Sequence, residues 1–164
     1  MTKNDKDTKL DARKLIETYL KEAKMMQLAT VSDGKPWVCN VWFAADKDLN
    51  IYWFSAITRR HSEEVMKDPH VAAAICLPQT PSDAPRGIQL EGTAELLTKP
   101  TDVALAMKHY VGRVFNLKQV KQFMAHLDRP HRFYRIRPSQ IVLFDVANFP
   151  DDPRQVLTLP QGNK

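Results

Sequence analysis

Glycine is scarce in this 164-residue chain, with five in all, and none falls into a Gly-x-Gly-x-x-Gly or a Gly-x-x-x-x-Gly-Lys pattern. A dinucleotide fingerprint and a Walker-type phosphate loop are both excluded. Cysteine is equally sparse: Cys39 and Cys76 stand alone inside apolar runs, with no Cys-x-x-Cys pair. That excludes a disulfide-stapled framework, and with a polar amino terminus it leads us to expect a reducing cytoplasm and two buried thiols. No apolar run approaches the roughly 20 residues of a membrane helix, so a soluble protein with no membrane partner is expected. What remains is an ordinary globular composition, 43% hydrophobic and 26% charged, with a surplus of +5 that favours anionic partners.

Periodicity divides the chain cleanly. Ala12, Leu15, Ile16, Tyr19, Leu20 and Ala23 recur at helical spacing, which predicts an amphipathic helix over 11–24 with Asp11 as its N-cap. From Met26 the pattern becomes that of strands. A first run to Val31 turns at Asp33-Gly34, a strong hairpin signal, and returns as Trp37 to Ala45. A third strand spans 49–55. A short helix over 58–67 ends at Asp68-Pro69, and strands over 71–77 and 87–96 follow, separated by a loop with three prolines. Residues 102–127 read as helical with a break at 112–116. The last elements are expected as a hairpin, 132–137 and 141–146, turning at Pro138-Ser139, with a tail beyond Pro150 that wraps without packing. Strands joined by short turns point to a small, mainly antiparallel barrel with helices outside.

The densest chemistry lies at Ser55-Ala56-Ile57-Thr58-Arg59-Arg60-His61. A hydroxyl at a strand end, followed by basic side chains in the first turn of a helix, gathers donors, positive charge and the helix dipole, as a phosphate monoester requires. A solvated basic turn is the plainer reading of the same residues.

Here the order of elements resembles the pyridoxamine 5'-phosphate oxidase-like FMN-binding split barrels. The resemblance rests on the amino-terminal helix, on Leu28-Ala29-Thr30-Val31-Ser32-Asp33-Gly34-Lys35-Pro36, on a strand ending in an aromatic and a hydroxyl, and on a basic pair opening a helix that closes with Asp-Pro. It implies a mainly β fold, a six-stranded antiparallel split β-barrel with flanking helices. It also implies a flexible leader over 1–10, a flavin-binding domain over 11–150 and a carboxyl-terminal tail over 151–164. By register it assigns Ser55, Arg60 and His61 to the FMN phosphate, and the backbone of Asn40, Val41, Trp42 and Phe43 to the isoalloxazine ring. A homodimer with the cofactor at the subunit interface follows, acting as a flavin oxidoreductase on a small-molecule substrate. FAD, a deazaflavin or haem are the alternative cofactors, and a module that stores or senses flavin or haem is the alternative role.

Three departures qualify the resemblance. His61 occupies a position that the family usually gives to lysine, so phosphate affinity is expected to fall between about pH 6 and pH 8 as the ring loses its proton. Gly87 stands where a glutamine is common. The carboxyl-terminal stretch 148–156 lacks the Arg-x-His element of true pyridoxamine-phosphate oxidases, so vitamin B6 oxidation is not expected. No side chain stands out as a catalytic acid, base or nucleophile.

Two other readings use different residues. Lys108, Arg113, Lys118, Lys121, Arg129, Arg132, Arg135 and Arg137, interleaved with Tyr110, Phe115, Phe123, Phe133 and Tyr134, could form a single-strand nucleic-acid surface, but a solvated helix face plus a hairpin with inward aromatics is the favoured reading, and nucleic acid is not an expected partner. His109, His126 and His131 lack the spacing of a metal shell, and no metal is expected there. Alternation places Trp37 and Trp42 on opposite faces of one strand, so at least one of them meets an interface, a helix or a ligand.

Overall fold

The computed structural model describes the backbone of residues 3–160 and the side chains of residues 12–160. Helix α1 (Lys3–Glu22) precedes strands β1 (Met25–Ser32), β2 (Lys35–Ala45) and β3 (Ile51–Ala56). Helix α2 (Arg60–Lys67) leads into β4 (His70–Cys76) and β5 (Arg86–Leu96). Helices α3 (Pro100–Tyr110) and α4 (Leu117–Ala125) come next, then β6 (His131–Asp145) and β7 (Arg154–Thr158). Helix α1 begins before Asp11, which is therefore an interior helical residue and not the N-cap, and helical backbone reaches into the stretch read as a leader.

All pairings are antiparallel, in the order β3-β2-β1-β4-β5-β6-β7, and a further β3–β6 ladder closes the first six strands into a ring. The six-stranded barrel expected from the sequence is thus present. Asp33 and Gly34 both adopt positive φ, 53° and 72°, as a tight β1–β2 hairpin turn requires. Inward residues fill the barrel: Met26 and Leu28 from β1, Phe43 from β2, Ile51 and Trp53 from β3, Ile75, Leu90 and Ile136 from the others, capped by Ile16 and Leu20 of α1.

The carboxyl-terminal elements differ from expectation. Residues 132–145 form no hairpin but belong to one continuous strand, because β6 changes its second neighbour along its length. It pairs with β3 from His131 to Ile136 and with β7 from Gln140 to Phe144, while β5 lies alongside from Tyr134 to Asp145. Pro138-Ser139, which the sequence suggests as a turn, sits at that changeover within a bulge against Glu91-Gly92. The tail also packs, as β7. Gly92 makes the bulge possible, since a Cβ there would lie 2.2 Å from the Arg137 carbonyl oxygen. Gly92→Ala is expected to cost about 2 kcal/mol of stability through this backbone clash, read as a lower denaturation midpoint in urea; an unchanged midpoint contradicts it.

A second apolar cluster lies outside the barrel, where Tyr52 and Phe54 of β3 and Phe133 of β6 receive Ala106, Tyr110 and Val120 from α3 and α4. Phe115 and Phe123 pack against the same cluster, so the aromatics of the supposed nucleic-acid surface point inward. Several of its basic residues are also engaged. Arg135 binds Glu95 and Arg137 binds the same carboxylate, while Arg113 donates to backbone carbonyls of Leu20, Lys21, Ala23 and Phe43. No helix among the described residues is long and apolar enough to cross a membrane.

Candidate functional site

The corner where β3 hands over to α2 brings Ser55, Arg60 and His61 together. Ser55 and His61 are both buried, with Ser55 Oγ 2.9 Å from His61 Nε2. Burial first, and the nearby Arg59 charge second, push the His61 pKa below its ordinary 6.5, with Glu64 opposing. The ring is therefore neutral at pH 7, which corrects the expectation that it loses a proton between about pH 6 and pH 8. A base whose pKa is depressed by folding contributes stability above its unfolded value and loses it as pH falls. The Ser55–His61 contact is accordingly expected to weaken, and the ring to gain charge, only below about pH 6.5. Phosphate affinity measured from pH 5 to 8 should rise relative to His61→Lys only at the acid end; parallel profiles contradict this.

Arg60 is held on two sides. Its Nε donates to Glu64 Oε1 at 2.7 Å, and its guanidinium lies 4.1 Å from the centroid of the Trp37 ring. Glu64 is itself buried and accepts from the Thr30 hydroxyl at 2.5 Å. That hydroxyl, and then Arg60, keep the Glu64 carboxyl below the usual carboxylate range against the cost of burial. Glu64 thereby balances the Arg60 charge at the first turn of α2. Glu64 engages only Nε, and no hydrogen bond to the outer Nη edge of Arg60 exists among the described residues. The arginine is aimed, not blocked.

The amino terminus of α2 is open as well. Its N-cap, Arg59, makes no side-chain cap hydrogen bond, so the first-turn amides have no side chain from that position to satisfy them. An anion seated between those amides and the Nη edge of Arg60 satisfies both. The residues present thus fit a phosphate.

Strand β2 flanks the corner. It pairs with β3 at Phe43–Trp53, Ala44–Tyr52 and Ala45–Ile51, and continuing that register brings Val41 level with Ser55. Val41 and Phe43 point into the barrel and are buried; Asn40 and Trp42 face outward, with Trp42 45% exposed and Asn40 accepting from Gln27. Trp37 shares the inward parity but, near the strand's beginning, projects past the core and is 41% exposed. The two tryptophans therefore do lie on opposite faces. The side chains of Val41 and Phe43 are taken by the core, which leaves this stretch backbone groups and the Asn40 and Trp42 side chains to offer.

Sequence reasoning missed Glu64, Thr30 and the Trp37–Arg60 contact. The i, i+4 spacing of Arg60 and Glu64 was a usable signal, whereas nothing local pointed to Thr30. The thiols also differ from expectation. Val71, Ala73 and Ile75 take the inward positions of β4, which turns Cys76 outward and leaves it exposed. Cys39 is half-buried, and burial together with Glu64 pushes its pKa up to about 11, so it stays a thiol. No group of three or more His, Cys, Asp or Glu side chains converges as a metal shell among the described residues.

Comparison with known proteins agrees with this architecture. Among solved structures, the heme binding protein from Mycobacterium smegmatis superposes with a TM-score of 0.71 at 19% identity, over 90% of this chain and 57% of that one. This chain therefore spans little more than half of that protein. General Stress Protein 26 from Bacillus anthracis gives 0.64 at 18% identity, over 90% and 98% of the two chains. The heme storage protein HutZ from Vibrio cholerae gives 0.64 at 19%, over 80% and 92%. These likenesses establish the split-barrel fold. In sequence, a UPF0306 protein of Haemophilus ducreyi is 24% identical over 117 residues, 69% of this chain and 80% of that one. The family model described as pyridoxamine 5'-phosphate oxidase matches residues 12–144, from α1 to the end of β6, and the chain belongs to that family.

Proposed function

We propose that the chain binds FMN non-covalently, with Ser55, Arg60 and His61 at the phosphate and the β2 stretch Asn40–Phe43 along the ring, and serves as a flavin-dependent oxidoreductase of a small molecule. The observation that carries this reading is the pairing of an open α2 amino terminus with an arginine whose outer edge is unengaged and whose orientation Glu64 and Trp37 fix. Bound flavin would supply the redox chemistry. The chain's part is to hold and orient: His61 is occupied by Ser55, and Glu64 by Thr30 and Arg60, so neither is free to exchange protons with a substrate. FAD and deazaflavin cofactors also carry phosphate, and the corner by itself does not discriminate against them.

A homodimer completes this reading. The outward side of β2 exposes Val38 at 60% and Trp42 at 45%, beside the small outward residues Ala29 of β1 and Ala72 of β4, which gives a flat apolar face suited to a second copy. Anaerobic reduction of the loaded protein by a nicotinamide donor, then reoxidation by candidate acceptors, tests the enzymatic part. Flavin that binds yet never cycles would reduce the assignment to a storage or sensing module. Haem is the second reading, favoured by the two structural relatives described as heme-binding and heme-storing.

A further inference from the structure

At the corner between β3 and α2, strand β3 has β2 on one side and β6 on the other. Arg60 turns to the β2 side, where its guanidinium covers Trp37. On the β6 side a recess of about 390 Å3 opens between the β3–α2 junction and the loop that joins α4 to β6, walled by Thr58, Arg59, Asp128 and Arg129. Ser55, Arg60 and His61 do not line it. It nevertheless adjoins them, since Arg59 precedes Arg60 in the chain and its charge acts on the His61 ring.

The loop is docked to the junction before any ligand arrives. Ile57 donates its amide to the Pro130 carbonyl at 3.2 Å. Arg129 is fixed on both sides of its own backbone: its amide donates to His126 Nδ1 at 3.2 Å, and its carbonyl accepts from His131 Nδ1 at 3.1 Å. The guanidinium groups of Arg59 and Arg129, by contrast, make no hydrogen bond or ion pair among the described residues, with Asp128 or with any other group. Two arginines therefore wall one recess with a single carboxylate against them. An anion seated between them relieves their repulsion, and a loop held in advance lowers the ordering entropy that binding must overcome.

We propose that Thr58, Arg59 and Arg129 form a second phosphoryl subsite, so that the corner prefers a flavin dinucleotide, whose second phosphate enters the recess, over FMN. A flavin whose ring runs along β2 and whose first phosphate meets Arg60 continues on the β6 side, where the recess lies. The forks of the two guanidinium groups suit phosphoryl oxygens, and the Thr58 hydroxyl adds a donor. The volume exceeds what a phosphoryl group occupies and leaves room for the start of the adenosine. FMN ends at its first phosphate and leaves the recess to solvent. The proposal rests on the flavin reading of the corner and adds to it the residues that decide which flavin is taken.

Calorimetric titration of the full-length protein with FMN and with FAD tests it. FAD is expected to bind at least about tenfold more tightly than FMN. Arg129→Ala should remove that preference while leaving FMN affinity within about threefold of the parent. Arg129→Lys should keep part of the preference, because the charge remains, and Asp128→Asn should widen it. Added salt should erode it, as a contact between exposed charges requires. Equal affinities for FMN and FAD in the parent overturn the proposal, and so does a preference that survives Arg129→Ala in full, which would belong to the adenosine. The two readings fail differently: FMN bound without a preference for FAD removes the second subsite alone, whereas a protein that binds neither flavin removes the flavin reading and the subsite together.

Discussion

Replacing Arg60 with alanine is expected to weaken FMN binding by at least about 100-fold, from two charge-assisted hydrogen bonds at roughly 1.5 to 3 kcal/mol each, partly offset by solvent exposure. The side chain is half exposed, yet it is already oriented before any ligand arrives, because Glu64 holds Nε and Trp37 holds the guanidinium face. Little ordering entropy remains to oppose binding. Arg60→Lys should recover only part of the loss, since an ammonium keeps the charge but neither the fork nor the stacking plane. Quenching of flavin fluorescence gives the affinities, and the emission of Trp37, no longer covered, gives an independent sign that the contact is gone. An Arg60→Ala protein that binds FMN within about threefold of the parent would contradict this account.

Arg113→Ala is expected to cost the fold about 4 kcal/mol, at about 1 kcal/mol for each carbonyl it now serves. The guanidinium donates to Leu20, Lys21 and Ala23 at the carboxyl end of α1 and, 3.1 Å away, to Phe43 of β2. It thereby neutralises the negative end of the α1 dipole and ties the α3–α4 connection to the barrel. For a chain of this size the melting temperature should fall by about 8 to 16 °C. Arg113→Lys, able to reach one or two of these oxygens, should fall between. A loss below about 1 kcal/mol would show that water satisfies these carbonyls equally well.

Much of the barrel was legible because its signals are local. Alternation in β1 to β5, Asp33-Gly34 at a hairpin and Asp68-Pro69 at a helix end each depend on neighbours in sequence. The breaks that matter most depend on pairing and packing. Pro138-Ser139 reads as a turn in isolation, and only the exchange of β3 for β7 along β6 makes it a bulge within one strand. Residues 154–158 carry a weak strand pattern, and reading 132–146 as a closed hairpin hid that β6 offers them its free edge. Arg113 reads as one of many surface cations until α1 and β2 are brought to it. At the corner, Ser55, Arg60 and His61 could be chosen from residue type and order, but their state could not. The neutrality of His61 comes from burial, and the aiming of Arg60 comes from Trp37 across the barrel mouth.

The comparison of FMN with riboflavin tests the central claim most directly, because the two ligands share the ring and ribityl chain and differ by the phosphate. If the corner between β3 and α2 exists to hold that group, calorimetric titration should find FMN bound at least about 100-fold more tightly than riboflavin, and the difference should vanish in Arg60→Ala. Equal affinities for the two ligands in the parent protein would contradict the account.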